Sequence, residues 1–190
     1  MKPTLPRDYF DRLYQSDADP WNFATKDYEH QKYAATLDNL PRERYQNALE
    51  LGCSIGVLTQ MLAARVDSLL AVDAAQIAVD AARARCAALA NVQVKRATLP
   101  DEFPDGQFDL ILMSEVGYYF ALPDLKQLSE RVLSGLQSGG DLVLVHYLPD
   151  VPDYPLRGDD VHDFFLDLAG LNHLSGLRAE RYRLDCFRRV

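Results

Sequence analysis

The stretch Leu49-Glu50-Leu51-Gly52-Cys53-Ser54-Ile55-Gly56 places two glycines between an apolar segment and a segment of helical character. Glycine tolerates positive φ and lets the backbone approach a neighbour or a ligand closely. A helix that begins after such a loop presents unpaired N–H groups and the positive end of its dipole. The stretch therefore predicts a strand–loop–helix unit, whose loop is either a tight structural turn or a site for a cofactor.

Strands and helices alternate with short connections on both sides of this unit. Strands are expected at 48–51, 68–73, 92–96, 108–114 and 141–146, and helices at 57–63, 75–88 and 122–136, with Gly139-Gly140 as a turn before the last strand. Apolar residues fill these strands almost continuously, which indicates burial on both faces. The pattern predicts an α/β fold with a doubly wound, mostly parallel sheet and right-handed crossovers.

Two further segments flank this core. Before it, helices are expected at about 7–16 and 26–39, split by an Asp-Pro turn and ended by Pro41. After it, a proline-rich loop leads to a helix at about 159–168, and a long strand over 178–187 is expected to run antiparallel at the sheet edge. Residues 171–174 also have strand character. The length predicts a single domain. The order of its elements divides this domain into a helical lid (1–42), a cofactor-binding core (43–147) and a substrate-side segment (148–190).

Composition narrows the possible partners. The 190 residues carry a formal net charge of −8, which argues against nucleic acid because phosphates attract lysine and arginine. Cys53, Cys86 and Cys186 are far apart, and no cluster has metal-ligand spacing, so we expect no metal site. No secretory signal and no apolar run of about 18 residues is present, so a cytoplasmic protein without a membrane partner is expected. A monomer and a homodimer are both open.

An acidic residue follows the glycine loop at a position that suits a nucleoside. Asp73 ends the next strand, about 20 residues further on, where a carboxylate accepts the hydroxyls of a ribose. The loop lacks the G-x-G-x-x-G spacing of dinucleotide-binding folds, which disfavours a nicotinamide cofactor. It fits an acid-x-Gly-x-small-x-Gly pattern that begins at Glu50.

Residues 50–56 in this pattern resemble the first motif of the class I S-adenosylmethionine-dependent methyltransferases, and 72–74 resemble the second. Stretches 108–111 and 139–143 are similar to later motifs of these enzymes. Further stretches resemble the NodS-like subgroup, namely 17–21, 28–33, 49–53, 114–119 and 158–162. The resemblance implies a Rossmann-like fold, S-adenosyl-L-methionine as cofactor and methyl transfer to a small-molecule amine, such as an amino sugar or oligosaccharide. O- or S-methylation of a small metabolite and a degenerate nucleoside-binding module are the alternatives.

The resemblance also implies a set of cofactor-binding residues. They are Trp21, Tyr33, Glu50, Gly52, Cys53, Ser54, Gly56, Asp73, Ala74, Thr98, Leu99 and Ser114. The acid that many of these enzymes use near the adenine is missing, so Thr98 or nearby backbone would have to replace it. Trp21 and Tyr33 are alternatively anchors that pack the first helices onto the sheet.

Two residues are candidates for the chemistry itself. Glu115 follows the most apolar strand and could orient or deprotonate the acceptor, unless it is a solvated or helix-capping acid. His146 ends the fifth strand and could act as a general base, since histidine titrates near neutral pH, or it could be a core residue with satisfied hydrogen bonds. Tyr118 and Tyr119 could line an acceptor groove or belong to the core, and His162 is expected to be a packing residue.

Overall fold

Seven strands form one sheet in the computed structural model, which describes residues 2–190. They are β1 Tyr45–Leu51, β2 Val66–Asp73, β3 Val92–Arg96, β4 Phe108–Ser114, β5 Leu136–Tyr147, β6 Leu171–Arg178 and β7 Tyr182–Arg189. The order across the sheet is β3-β2-β1-β4-β5-β7-β6. Strands β1 to β5 are parallel, and β7 runs antiparallel to both of its neighbours. The predicted doubly wound, mostly parallel α/β sheet is confirmed.

Six α-helices connect or flank these strands. They are α1 Arg7–Ser16, α2 Asp27–Asp38, α3 Val57–Leu62, α4 Gln76–Arg85, α5 Leu122–Gly135 and α6 Gly158–Leu166. Two short 3-10 turns, 63–65 and 117–119, follow α3 and β4. Within residues 2–190, none of the helices has the length and apolar character that crossing a bilayer requires.

Apolar side chains of the central strands alternate between two cores, one on each face of the sheet. In β4, Leu110 and Leu112 belong to one core, whereas Ile111 and Met113 belong to the other, and all four are fully buried. Successive residues of a strand point to opposite faces, so a strand covered by helices on both sides must be apolar throughout. This is why the continuous apolar runs in the sequence located the central strands correctly.

The C-terminal strands differ in detail from the expectation. The chain reverses after β6, where the Ala179 N–H donates to the Tyr182 carbonyl at 2.9 Å. The expected strand over 178–187 is therefore β7, shifted by the turn, and it lies inside the sheet between β5 and β6. The antiparallel edge strand is β6, whose residues are mostly exposed. An edge strand with little burial carries almost no apolar alternation, so its sequence signal was weak.

Strand β5 also begins earlier than expected. It starts at Leu136, directly after α5, and it includes Gly139 and Gly140, which the sequence had suggested as a turn. Gly139 has φ of +75°, and the pairing register with β4 shifts between Phe108 and Leu110. A glycine at positive φ accommodates such an irregularity without ending the strand.

Candidate active site

A cavity of about 980 Å³, counting the space open to solvent, lies where the loops after β1, β2 and β4 meet. Strands β1 and β4 are neighbours, and their connections run to opposite sides of the sheet. Ligands of doubly wound folds bind outside the carboxyl ends of the strands at this switch point. We call this space the cofactor cavity. Residues that line it include Trp21, Tyr33, Glu50, Gly52, Cys53, Ser54, Asp73, Ala74, Thr98, Leu99, Ser114 and Glu115.

The two glycines of the loop after β1 make room for the protein itself. Gly52 has φ of +75°, and a Cβ added there would lie 2.0 Å from Cγ2 of Val116. Gly56 has φ of +80°, and its added Cβ would lie 3.0 Å from Ala82 in α4. The glycines therefore let the loop after β4 and helix α4 pack closely against the loop after β1. Gly56 does not line the cofactor cavity.

Asp73 holds the shape of this loop from the end of β2. Its Oδ2 accepts the N–H of Ser54 and its Oδ1 accepts the N–H of Ala75, each at 2.9 Å. Burial raises the pKa of Asp73, and these backbone hydrogen bonds oppose the rise. Each carboxylate oxygen has a second lone pair, so Asp73 can still accept two hydrogen bonds from a ligand.

Glu50 is a buried acid with an unsatisfied oxygen. It is 2% exposed, and its Oε2 has no hydrogen-bond partner in the structure. Burial raises the pKa of Glu50 to about 7. A buried carboxylate without a partner is costly, and a donor from a ligand in the cavity would relieve that cost.

Glu115 occupies the point where the loop after β4 turns. It has φ of +59°, a left-handed conformation that costs a non-glycine residue about 1–2 kcal/mol. Three donors hold its carboxylate: Lys32 Nζ at 2.5 Å on Oε1, and the Tyr147 N–H at 2.9 Å together with the Tyr118 hydroxyl on Oε2. A carboxylate has about four lone-pair sites, so one acceptor position remains.

Lys32 lies between two acids in the interior. Its side chain is 2% exposed, and its Nζ is 2.8 Å from Glu29 Oε2 in addition to its contact with Glu115. Burial alone would lower the pKa of Lys32, but the two carboxylates outweigh it and raise that pKa.

A second cavity, of about 880 Å³ counted in the same way, adjoins the first. We call it the acceptor cavity. Glu115 and three aromatic residues, Trp21, Phe23 and Tyr119, line both. The remaining walls are largely tyrosines, with Glu29, Lys32, Lys26 and Arg181 as the other charged residues. The Glu115 carboxylate thus stands at the junction of two ligand-sized spaces.

His146 lies behind the acceptor cavity and lines neither space. It is fully buried, its Nε2 accepts the Gly117 N–H at 2.9 Å, and its Nδ1 is 3.1 Å from Nε2 of His162. Because the Gly117 N–H can only donate, Nε2 of His146 must be the unprotonated nitrogen and Nδ1 must carry the proton. Nδ1 of His146 therefore donates to Nε2 of His162. Nδ1 of His162 in turn donates to Asp185 at 2.6 Å. Burial, followed by the neighbouring His162, lowers the pKa of His146 far below its usual value. Both ring nitrogens are occupied, so this geometry offers no support for His146 as a base.

Residues 2–190 contain no candidate metal site. No group of three or more histidine, cysteine, aspartate or glutamate side chains there has an arrangement that could hold a metal ion. The three cysteines are all buried and unpaired. Burial, followed by the charge of Asp73, raises the pKa of Cys53 in the loop after β1, which disfavours a thiolate nucleophile.

Comparison with known proteins places this site in a family. The family model described as "Nodulation protein S (NodS)" matches residues 7–146, which include β1 to β4, all of β5 but its last residue, and most of the cofactor cavity lining. The chain belongs to the NodS family. Nodulation protein S of Bradyrhizobium diazoefficiens is 34% identical over 102 residues, which are 53% of this chain and 49% of that protein. The chain spans about half the length of the curated NodS proteins it matches.

Solved structures share the fold of this NodS-family chain. The N-methyltransferase NodS from Bradyrhizobium japonicum WM9, in complex with S-adenosyl-L-homocysteine, superimposes with a TM-score of 0.85 at 22% identity, covering 96% of this chain and 97% of the other. A Pseudomonas syringae structure is 36% identical with a TM-score of 0.77, covering 86% of this chain and all of the other. The class I methyltransferase fold is therefore confirmed.

Sequence reasoning located the cofactor cavity of this NodS-family protein better than the acceptor cavity. Of the fourteen residues predicted for the site, all but Gly56 and His146 line the cofactor cavity. Glu29 and Lys32 were missed, although their i, i+3 spacing on α2 was a usable signal for an ion pair. Tyr154 and Arg181 gave no signal, because they reach the acceptor cavity from distant loops.

Proposed function

We propose that this chain is an S-adenosyl-L-methionine-dependent methyltransferase that methylates a small-molecule amine. The observation that carries the proposal is the position of Glu115, whose carboxylate lies at the junction of the two cavities with one acceptor site free. Membership of the NodS family and the shared fold support the same activity. An amino sugar or an oligosaccharide amine is one acceptor of this kind.

The residues of the cofactor cavity fit this cofactor. S-adenosyl-L-methionine would supply an electrophilic methyl carbon bound to a sulfonium. Asp73 would accept the two ribose hydroxyls while it holds the loop after β1 through Ser54 and Ala75. Glu50 would receive the ammonium of the amino-acid end, which gives its unsatisfied Oε2 a donor. Trp21 and Tyr33 would cover the cavity with aromatic faces, which attract a sulfonium cation.

Glu115 would act on the acceptor at the junction. Its free lone pair accepts an N–H of the amine, which orients the nitrogen lone pair toward the cofactor cavity. The carboxylate charge would stabilise the positive charge that develops on nitrogen as its lone pair forms the bond to the methyl carbon and the sulfur–methyl bond breaks, leaving its electron pair on sulfur. The methylated nitrogen would then lose a proton to solvent. Lys32, Tyr118 and Tyr147 fix the carboxylate and prevent it from rotating away. Methylation of a hydroxyl would need a strong base, and the occupied nitrogens of His146 do not provide one.

Transfer of a labelled methyl group from S-adenosyl-L-methionine to a panel of amines, with amino sugars among them, tests the proposal. Glu115→Gln should reduce kcat by about 10²- to 10³-fold, the scale of a lost electrostatic contact, and leave the affinity for S-adenosyl-L-homocysteine unchanged. Glu130→Gln, on the exposed side of α5, is the matched control and should keep full activity. Full activity of the Glu115 variant would remove this residue from the mechanism.

A further inference from the structure

The acceptor cavity has an unusual distribution of charge between its interior and its rim. Inside, Glu29, Glu115 and Lys32 are largely buried and together carry one excess negative charge. At the exposed rim stand two cations, Lys26 and Arg181. The chain as a whole carries a net charge of −8, so the basic rim is a local property of this cavity.

One buried polar atom of the cavity wall lacks a partner. The Tyr28 hydroxyl makes no hydrogen bond in the structure, and Tyr28 lines the acceptor cavity. Buried polar groups are nearly always satisfied, so a polar ligand beside Tyr28 would relieve this cost. Glu29 lines the same cavity and is 7% exposed, with the Lys32 ammonium 2.8 Å from its Oε2. Each carboxylate oxygen has two lone pairs, so Glu29 adds to the acidic character that the interior presents to an amine.

The rim cation Arg181 is held in place without an acidic partner. Its guanidinium lies 5.4 Å from the ring centroids of both Tyr28 and Tyr147, and it donates to the Tyr147 hydroxyl at 2.7 Å. Among residues 2–190, no carboxylate lies within ion-pair distance of Arg181 or of Lys26. The two ring contacts and the hydrogen bond limit the motion of the guanidinium, which lowers the entropy lost when it binds an oxyanion. The free edge of Arg181 is therefore prepared for a carboxylate or a phosphate.

We propose that the acceptor is a small zwitterionic amine, in which the amine to be methylated is joined to a carboxylate or phosphate that binds Arg181 and Lys26 at the rim. The acidic interior receives the amine, and the basic rim receives the anion, so the molecule is oriented by opposite charges at its two ends. This proposal rests on the proposed function, because it names the acceptor of the same site. It differs from an amino sugar without an anionic group, which would leave the rim cations unused.

Matched pairs of amines distinguish these possibilities in a binding measurement. Calorimetric titrations into the protein saturated with S-adenosyl-L-homocysteine would compare phosphoethanolamine with ethanolamine, and β-alanine with propylamine. The anionic member of at least one pair should bind about tenfold more tightly, and the pair that shows the preference identifies phosphate or carboxylate as the anion. Raising the salt concentration should reduce the preference, because the rim is exposed to solvent.

Variants of Arg181 test the role of the rim directly. Arg181→Gln should weaken binding of the preferred anion-bearing amine about tenfold and change the affinity for the matched amine without an anion less than twofold. Arg181→Lys should keep only part of the preference, because an ammonium retains the charge but lacks the planar donor pair of a guanidinium. Arg131→Gln, at an exposed arginine of α5, should behave as the unmodified protein. Equal affinity for both members of both pairs, or equal losses for both in Arg181→Gln, would overturn the proposal.

Failure of the proposed function has a different signature. The protein would then not bind S-adenosyl-L-homocysteine, which is measured first and does not involve the rim. The pairs would in that case be compared on the protein alone, where the same tenfold preference supports a zwitterion site and its absence overturns it.

Discussion

Replacing Lys32 by methionine should destabilise the protein severely, because two carboxylates would lose their shared counter-charge. Lys32 is 2% exposed, and its Nζ lies 2.5 Å from Glu115 and 2.8 Å from Glu29. Methionine fills a similar volume, so the change removes the charge with little change in packing. Removing one partner of a buried ion pair costs about 3–5 kcal/mol, and here both acids are left uncompensated. We expect a loss within that range at pH 7.

A double variant that restores the net charge of the cluster is the control for Lys32→Met. The native cluster carries a net charge of −1, from two carboxylates and one ammonium, and Lys32→Met makes it −2. Adding Glu29→Gln returns the cluster to −1, so the double variant should recover more than half of the lost free energy of unfolding.

Urea unfolding at several pH values measures these effects. The midpoint concentration should fall in Lys32→Met and rise again in the double variant, with an unchanged dependence on urea concentration in all three proteins. A loss below about 1 kcal/mol in Lys32→Met would mean that solvent or rearrangement compensates the acids. Failure of Glu29→Gln to restore stability would show that the loss comes from packing rather than charge.

Three other changes test separate parts of the structure. Gly52→Ala should lower the free energy of unfolding by about 2–5 kcal/mol, because the new side chain would be strained in the left-handed conformation and would lie 2.0 Å from Val116. Adding Val116→Ala should relieve the clash but not the backbone strain. An effect below about 1 kcal/mol in urea unfolding would contradict the packing role of this glycine. His146→Phe should lower the free energy of unfolding by about 1–3 kcal/mol for each buried partner left unsatisfied. Because the pKa of His146 in the folded protein lies below the ordinary 6.5, the native protein should lose stability as the pH falls below about 6.5. In the same assay, the variant should show a smaller loss. Burial raises the pKa of Glu50 from 4.5 to about 7, so its contribution should favour the folded state at low pH and be lost as the pH rises through about 7. Glu50→Gln should flatten that part of the dependence of stability on pH. An unchanged dependence would refute the raised pKa of Glu50.

The parallel core could be predicted closely because burial on both faces forces a simple pattern. Strands β3 and β4 have the predicted boundaries, and Asp73 ends β2 as predicted and lines the cofactor cavity. Local spacing carries such information, since the loop, the strand end and the following helix are close in sequence. The exposed edge strand β6 lacked this pattern, and its position was therefore uncertain.

The acceptor cavity could not be predicted in the same way. Its walls come from α2, from the turn after β4, from the loop around Tyr154 and from Arg181 before β7. No spacing rule links residues that meet only through tertiary packing. The role of His146 depended on the same kind of information, because the sequence cannot show that Gly117 and His162 occupy both of its nitrogens.

A calorimetric titration with S-adenosyl-L-homocysteine, with NADH as the control ligand, tests the proposed function most directly. The proposal predicts one-to-one binding of S-adenosyl-L-homocysteine and none of NADH. Asp73→Ala should weaken that binding by about 1–3 kcal/mol, the scale of a lost charge-assisted hydrogen bond. Absence of binding to the native protein, or equal binding of NADH, would contradict the proposal that this cavity holds S-adenosyl-L-methionine.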